Sequence, residues 1–310
     1  MQLDKNAIDE FKESLKTRGR LPSTIESYAR DAQRFIDYLE AEDLNLEDVE
    51  AHTMITYQQY LRNICEDRDN SIRRSVIGVR QFFRFLSDVQ YIINSPLDHA
   101  IIPPRDESLP NGITSEDLDL VFEFAANTAP VIKSTRDCAI LALLSFEGLK
   151  AGEIIDLKWS YFLKENNLGS LKITGSRGRI IKLSPETTKT ITTYHRHYAK
   201  VLDSAFLHDK DAKMFIAFKG RDTNTPIAKI SRHGLKFMLY ELGEKANIKG
   251  LNTEMLRHHA TNYLLEQGRS IDEIMQHFGL KRAGNIAKHV ATFSNTDSAL
   301  TGRNHAQSER

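Results

Sequence analysis

Residues 136–159 read RDCAILALLSFEGLKAGEIIDLKW, and this stretch decides the fold. Its first half is so strongly apolar that we predict a helix over 136–147. Gly148 then breaks the helical pattern, and a second, shorter helix is predicted over 150–157. The second half of the chain is therefore expected to be mainly helical.

One clear β signal interrupts this helical half. Residues 171–183 alternate around the polar turn Gly175-Ser176-Arg177-Gly178, which predicts a β-hairpin. The other predicted elements are a helix capped at Thr114, a short strand over 214–218, and helices over 228–246, 253–267, 270–279 and 282–290.

The first hundred residues contain only helix patterns. The spacing of apolar residues predicts a helix that begins at a Ser23-Thr24 cap and another over 71–86 with its aromatic face inward. A shorter helix precedes them, and one more is predicted between Met54 and Ile64. Together these patterns predict a bundle of four or five helices.

A proline-rich stretch separates the two halves. Residues 94–112 read NSPLDHAIIPPRDESLPNG and hold four of the eight prolines. Proline stiffens the backbone and removes hydrogen-bond donors, so we predict an extended linker. The predicted organisation is a helical domain at 1–95, the linker at 96–112, a second domain at 113–293 and a loose tail at 294–310.

The composition excludes several classes of protein. The 310 residues include 42 Lys+Arg and 42 Asp+Glu, so any site for a polyanion must be a local patch. Mean hydropathy is −0.43, and no apolar run approaches the ~18–20 residues of a membrane helix. The acidic N-terminus is unlike a secretory signal, and Cys65 and Cys138 belong to no metal motif. We expect a cytoplasmic protein with no metal, no other cofactor and no membrane partner.

Two predicted helices of the first domain carry arginines on their outer faces. One group lies opposite the aromatic face of the helix over 71–86, and a pair four residues apart lies on an earlier helix. These residues are Arg30, Arg34, Arg73, Arg74, Arg80 and Arg84. Two such helices can straddle a duplex and contact its phosphates. A solvated charged surface is the alternative interpretation.

Several segments resemble the tyrosine recombinase family, which includes phage integrases and Xer-type proteins. The family's DNA-contacting helices correspond to STIESYARDAQRFIDYL and RRSVIGVRQFFRFL, and its connector to NSPLDHAIIPPRDESLP. The segments with its two catalytic arginines correspond to residues 136–159 and to MLRHHATNYLLEQGRSIDEIMQHFG at 255–279. The resemblance covers about residues 10–292 in order. It implies a mainly α, two-domain DNA clamp with a helical core-binding (SAM-like) N-terminal domain and a catalytic-type α domain with a small β hairpin or sheet.

Members of that family cleave one DNA strand with a tyrosine nucleophile. Two arginines and a histidine hold the scissile phosphate, and a hairpin lysine protonates the leaving oxygen. Here the first arginine falls on Lys150, which keeps the charge without the bidentate fork. The histidine falls on Glu254, an anion that would repel phosphate, whereas Arg257 retains the second arginine. His258 matches the histidine that commonly follows that arginine.

The other positions of the family's site also depart from its pattern. Ser176 lies near the place of the hairpin lysine, and the adjacent Arg177 is too basic to release a proton readily. Leu280 takes the place of a further histidine, and His289 takes the place of the tyrosine. The resemblance therefore implies a degenerate member without an intact catalytic set. The positions that correspond to the family's catalytic set are Lys150, Ser176, Glu254, Arg257, Leu280 and His289, and only Arg257 keeps the family's residue.

We therefore expect a protein that binds double-stranded DNA without cleaving it. Such a protein could structure DNA in the nucleoid, regulate transcription, or act beside further copies of itself or an active tyrosine recombinase. The contacts expected from the second domain are Lys150, Arg177, Arg257 and His258. One alternative is an active site-specific integrase with an atypical nucleophile. The other is a protein–protein scaffold without DNA binding, which the 18 Asp+Glu against 14 Lys+Arg in residues 1–105 favour slightly.

Overall fold

The computed structural model describes residues 6–105, 112–201, 211–218 and 226–281, together with residue 286. The chain divides into two units, Met1–Ser108 and Leu109–Arg310. In the described ranges no helix is both long enough and apolar enough to cross a membrane.

The first unit is the predicted helical bundle. Its elements are α1 (Ala7–Thr17), α2 (Pro22–Ala41), a 3-10 turn (Leu46–Asp48), α3 (Ala51–Asn63) and α4 (Asp69–Asp88). The interior is rich in aromatic rings that meet edge to face: the centroids of Phe35 and Tyr57 lie 4.8 Å apart, and those of Phe11 and Phe82 lie 5.3 Å apart. Burying each such side chain contributes about 1.5–3 kcal/mol. Aromatic burial is therefore a main source of the stability of this bundle.

The inward face predicted for the helix over 71–86 is confirmed. Its apolar residues have 0% exposure: Ile72, Val76, Val79, Phe82, Phe83 and Leu86. Gly78 lies on the same helix where α4 meets α2, and a Cβ atom there would be only 3.0 Å from Cβ of Asp31. A glycine at this position therefore lets the two helices approach closely.

Two local predictions in this unit are wrong. Helix α2 begins at Pro22 behind Leu21, without a side-chain cap, rather than at a Ser23-Thr24 cap. Proline suits the first turn because its missing N–H would have no partner within the helix. Ile64 ends α3 as its C-cap and is 70% exposed, so it does not belong to the inward face.

Part of the predicted linker packs on the first unit. Leu97 is fully buried and Ala100 is 5% exposed, both within the core of the bundle. The stretch therefore differs from the extended linker predicted at 94–112, because its apolar side chains find room on the helices. Residues 106–111 lie outside the described part of the chain.

The helices of the second unit pack around one central helix. Its helices are α5 (Ser115–Ala126), α6 (Val131–Ser145), α7 (Ala151–Asp156), α8 (Pro185–Val201), α9 (Arg232–Lys245), α10 (Thr253–Glu266) and α11 (Ile271–Phe278). Helix α6 packs against α5, α8 and α10, and every residue from Ala139 to Leu144 has 0% exposure. The apolar character of residues 136–147 is explained by this burial on all sides.

Two small antiparallel sheets complete the second unit. The first has the order β1 (Phe162–Glu165), β2 (Leu168–Ile173), β3 (Arg179–Lys182), and the second pairs β4 (Ile216–Phe218) with β5 (Pro226–Lys229). The pairing of Ile173 with Arg179 closes the predicted hairpin around its polar turn.

Some elements of the second unit were missed or misplaced in the prediction. Strands β1 and β5 and helix α8 were not predicted. The helix expected over 228–246 begins only at Arg232, because β5 occupies the preceding residues and Ser231 caps the helix by accepting from the Gly234 N–H at 3.0 Å. Of the helix predicted over 282–290, only residue 286 is described, and the predicted tail lies outside the described residues.

Candidate nucleic-acid interface

The break between α6 and α7 places Lys150 at the start of a helix. Gly148 has φ +62°, and a Cβ atom there would lie 2.3 Å from the ring of Phe278, so only glycine fits without displacement. Lys150 is the N-cap of α7, and its backbone N–H donates to Oε2 of Glu153 at 2.9 Å. The break therefore fixes the backbone of Lys150 beside α11, where Phe278 lies.

Arg257 is anchored to the same break. Its Nε donates to the carbonyl oxygen of Gly148 at 2.8 Å, and its guanidinium carbon lies 5.7 Å from the ring centroid of Phe278. The side chain is only 14% exposed, whereas that of Glu254 is 65% exposed. Nη1 of Arg257 lies 3.5 Å from Oε1 of Glu254. An acidic side chain thus stands beside the one arginine that matches the family's pattern.

Arg179 completes this cluster, although the sequence did not single it out. It donates to Oε1 of Glu153 at 2.7 Å through Nη1 and to the carbonyl oxygen of His277 at 2.5 Å through Nε. Burial tends to raise the pKa of Glu153, but the hydrogen bonds from Arg179 and from the backbone of Lys150, together with the charges of these two residues, outweigh it, and the pKa lies below its ordinary value. The only sequence signal for Arg179 was its place at the start of the predicted second strand of the hairpin.

Several positive charges converge on Lys150. Burial is the main reason why the pKa of Lys150 lies below its ordinary value, and the attraction of Glu153 opposes that shift. Three nearby guanidinium groups lower the pKa further, those of Arg177, Arg179 and Arg257. An anion would relieve this repulsion, so the cluster has the electrostatics of a phosphate-binding site.

Three of the four remaining predicted positions lie in the described part of the chain. Ser176 is exposed in the hairpin turn, beside Arg177. Leu280 is half-buried and packs against the apolar contact between α10 and α11. Burial, and then the neighbouring His259, lower the pKa of His258. His289 lies outside the described residues.

A buried acid–base pair lies behind the cluster and was also missed. Oε2 of Glu147 lies 3.2 Å from Nε2 of His277, and its Oε1 accepts from the N–H of Ser184 at 2.8 Å. Burial acts to raise the pKa of Glu147, but these two partners outweigh it and hold the pKa below its ordinary value. The pair ties the end of α6 to α11, where the backbone of His277 also receives Arg179.

Three predicted DNA contacts of the first unit share a side of α4 and bind their own chain. Arg73 donates to the carbonyl oxygen of Pro103, and Arg80 donates to that of Asp98. Arg84 donates to Oδ1 of Asp98 at 2.8 Å. These bonds hold the segment after α4 against the helix. Contact with DNA phosphates stays a prediction for all three.

The other arginines lie between α2 and α4. Arg34 forms an ion pair with Asp67 at 2.6 Å. Arg74 holds Asp31 with two bonds, from Nε at 3.1 Å and from Nη2 at 3.0 Å, and Arg30 is exposed on α2. Of the six predicted arginines, Arg73 and Arg74 border one recess of the unit, together with Tyr28 of α2.

The sequence matches known families over most of its length. Residues 112–290 match the phage integrase family, and residues 8–90 match the phage integrase N-terminal SAM-like domain. The chain is 28% identical over 298 residues to the tyrosine recombinase XerD of Halalkalibacterium halodurans, covering 94% of this chain and 95% of that protein. It is 27% identical over 278 residues to XerD of Oceanobacillus iheyensis, covering 87% and 89%.

A solved structure shares the fold. The XerH site-specific recombinase bound to a palindromic difH substrate, in its post-cleavage complex, superposes with a TM-score of 0.70 over 96% of this chain and 89% of that one. Sequence identity in that comparison is 16%. The likeness extends the family match to three dimensions, in a mainly α architecture with a SAM-like first unit and a small sheet in the second.

Proposed function

The chain belongs to the phage integrase family, and we propose that it is a member that binds double-stranded DNA without cleaving it. In this role it would organise or mark DNA in the nucleoid, regulate transcription, or accompany an active recombinase. The observation that carries the proposal is the pairing of Arg257 with Glu254 across 3.5 Å.

That pairing bears directly on phosphate chemistry. A phosphodiester gains negative charge in its transition state, and fixed donors must stabilise it. Glu254 is an acceptor next to Arg257, so it cancels positive charge where the family supplies a donor. Lys150 retains a charge at the family's first arginine but lacks its planar fork. The site is therefore suited to hold a phosphate loosely and poorly suited to activate it.

The missing proton donor supports the same proposal. The turn between β2 and β3 consists of Gly175-Ser176-Arg177-Gly178 and contains no lysine. Arg177 holds its proton too tightly to protonate a leaving oxygen. Leu280, an apolar residue, stands where the family has a histidine. General acid catalysis alone contributes about 10²–10⁴ in rate, so its loss adds to the loss of phosphate activation.

Retention of DNA binding is supported by the cationic cluster and by the relatives. Lys150, Arg177 and Arg257 outnumber the acids beside them, since Glu153 is already paired with Arg179. The XerH structure named above contains its difH substrate. A duplex contacted by several such cations would bind with an affinity that falls steeply with salt.

Two measurements on the full chain test this proposal. Mobility shifts with random duplex DNA at low salt should show binding at micromolar protein. Nicked suicide duplexes, taken from genomic fragments that co-purify with the protein, should give no covalent protein–DNA adduct after denaturation. An active Xer recombinase on its own site is the positive control.

Each negative or positive result has a distinct meaning. A stable covalent adduct with the unmodified chain would favour an active recombinase with an atypical nucleophile and overturn the non-cleaving role. Absence of any shift would overturn DNA binding and favour a protein scaffold. Sequencing of the co-purified fragments then separates one marked site from many structural sites.

A further inference from the structure

Asp31 is a buried carboxylate beneath an exposed arginine of the first unit. Its side chain is 3% exposed, whereas that of Arg74 is 48% exposed. The close approach of α2 and α4 at Gly78 encloses this carboxylate, because Cβ of Asp31 packs against the glycine. Burial raises the pKa of Asp31 against the lowering effect of Arg74. The ionised carboxylate is thus enclosed at a free-energy cost that its bonds to Arg74 offset only in part.

The two bonds fix the direction of the guanidinium. Nε and Nη2 of Arg74 donate to the two carboxylate oxygens of Asp31 at 3.1 and 3.0 Å. This edge-on arrangement leaves the N–H groups of Nη1 and one N–H of Nη2 outside the pair. An ordinary surface arginine loses side-chain entropy when it is immobilised by a ligand, and here much of that loss is already incurred on folding.

The guanidinium borders a recess of about 340 Å³ at the N-terminal end of α4. The recess is lined by Tyr28, Asn70, Arg73, Arg74, Ile77 and Arg105. It therefore combines cations with an aromatic ring and an aliphatic side chain. In helix-turn-helix proteins, residues in the first turns of the recognition helix reach base edges in the major groove.

Charge distinguishes Arg74 from the adjacent Arg73, which binds a neutral carbonyl oxygen. Together with Asp31 it forms a pair of zero formal charge, so it adds little to the attraction of phosphates, which depends on net positive charge. Arg30 is exposed, and its positive charge acts to lower the pKa of Asp31. The Arg74 guanidinium, held rigidly by Asp31 and neutralised by it, still offers two neighbouring donors in one plane. Guanine presents a matching planar pair of acceptors, O6 and N7, in the major groove.

We propose that Arg74, oriented by Asp31, reads a guanine in duplex DNA and sets part of the sequence specificity of this protein. The inference rests on the proposed DNA-binding function. Arg74 makes the base contact, and Asp31 is a positioning residue that acts through Arg74. The exposed arginines around them supply affinity that is independent of sequence.

The experiment selects duplexes from a randomised pool with the full chain and with three variants. Sequencing of the bound fraction gives base preferences, and fluorescence anisotropy on the duplex enriched by the unmodified chain gives the salt dependence of affinity. The variants are Arg74→Lys, Asp31→Asn and, as a matched control, Arg30→Ala. Thermal unfolding of each variant confirms that the first unit is intact.

The expected results separate specificity from charge. Arg74→Lys should lose a guanine preference of about 10-fold or more at one position and keep the salt dependence, because a lysine still neutralises Asp31. Asp31→Asn should weaken the same preference and steepen the salt dependence, because Arg74 then carries an uncompensated charge. Arg30→Ala should keep the preference and flatten the salt dependence.

Two outcomes would overturn the inference. The first is a selection by the unmodified chain without any guanine preference. The second is an unchanged preference in Arg74→Lys. If the unmodified chain binds no duplex, the proposed function fails and this inference fails with it. If the chain binds duplex DNA with a base preference that does not depend on Arg74, the proposed function is retained and only the inference about Arg74 fails.

Discussion

Replacing Gly148 by alanine should destabilise the second unit strongly, because two independent effects add at this residue. Its φ of +62° is a left-handed conformation that costs an L-residue about 1–2 kcal/mol. The new Cβ atom would also lie 2.3 and 2.5 Å from two atoms of the Phe278 ring. Phe278 is only 3% exposed, so the ring must move within a packed contact, at about 1–3 kcal/mol. We expect a total loss of about 2–5 kcal/mol.

Gly250 offers a matched control within the same unit. Its φ is +70°, yet a Cβ atom there would meet nothing within 4 Å. Gly250→Ala should therefore incur only the backbone cost of about 1–2 kcal/mol. The difference between the two variants isolates the collision with Phe278.

Urea unfolding monitored by tryptophan fluorescence measures this difference. The chain has one tryptophan, and Trp159 packs against the core of the second unit, so the signal reports that unit alone. Equal loss of stability in Gly148→Ala and Gly250→Ala would refute the argument that the ring of Phe278 requires glycine at the break.

Three further predictions concern charge and chemistry. Arg179 and Lys150 together outweigh the effect of burial and hold the pKa of Glu153 below its ordinary 4.5, so its stabilising contribution is complete above that value and is lost as pH falls through the lower folded pKa. Urea titrations of the second unit at decreasing pH should show this loss, and Glu153→Gln should make it shallower. Arg80 binds a neutral carbonyl, whereas Arg84 is paired with a carboxylate. Arg80→Ala should therefore lower the salt slope of duplex binding by about 1, and Arg84→Ala should change that slope less. Equal slopes in the two variants would count against this prediction. His289→Tyr alone should give no covalent adduct on a nicked duplex, because a missing general acid lowers the reaction rate by a factor of about 10²–10⁴ and a missing phosphate donor by about 10²–10³. An adduct would mean that the other departures from the family's pattern are tolerated.

The local sequence pattern predicted most of the helices but not the elements that pack against them. Residues 139–144 are uniformly apolar, and this predicted a strongly apolar helix, which α6 forms over Val131–Ser145 at the centre of its unit. Helix α8 was missed because its stability depends on packing against α6, which is distant in the sequence. Strand β1 was missed although its partner β2 is local, with Phe162 opposite Leu171, because its residues are mostly exposed and show no alternation of buried and exposed side chains.

The candidate sites show the same division. Positions such as Lys150, Glu254 and Arg257 were predicted from the resemblance to the tyrosine recombinase family, but their partners could not be. Arg179 and His277 are 98 residues apart and meet only in the folded chain. Hydrogen bonds over such separations leave no periodic trace in the sequence.

The sequence alone was enough to predict that the chain is mainly helical, with a helical first domain and a second domain that contains a hairpin. Those properties follow from side-chain periodicity and residue identity, which are local. The environment of each charged side chain is set by the tertiary structure: Asp31 lies buried under Arg74, and Glu254 stands beside Arg257. The physical reason is that the strength and direction of an ionic contact depend on burial and distance, and folding sets both.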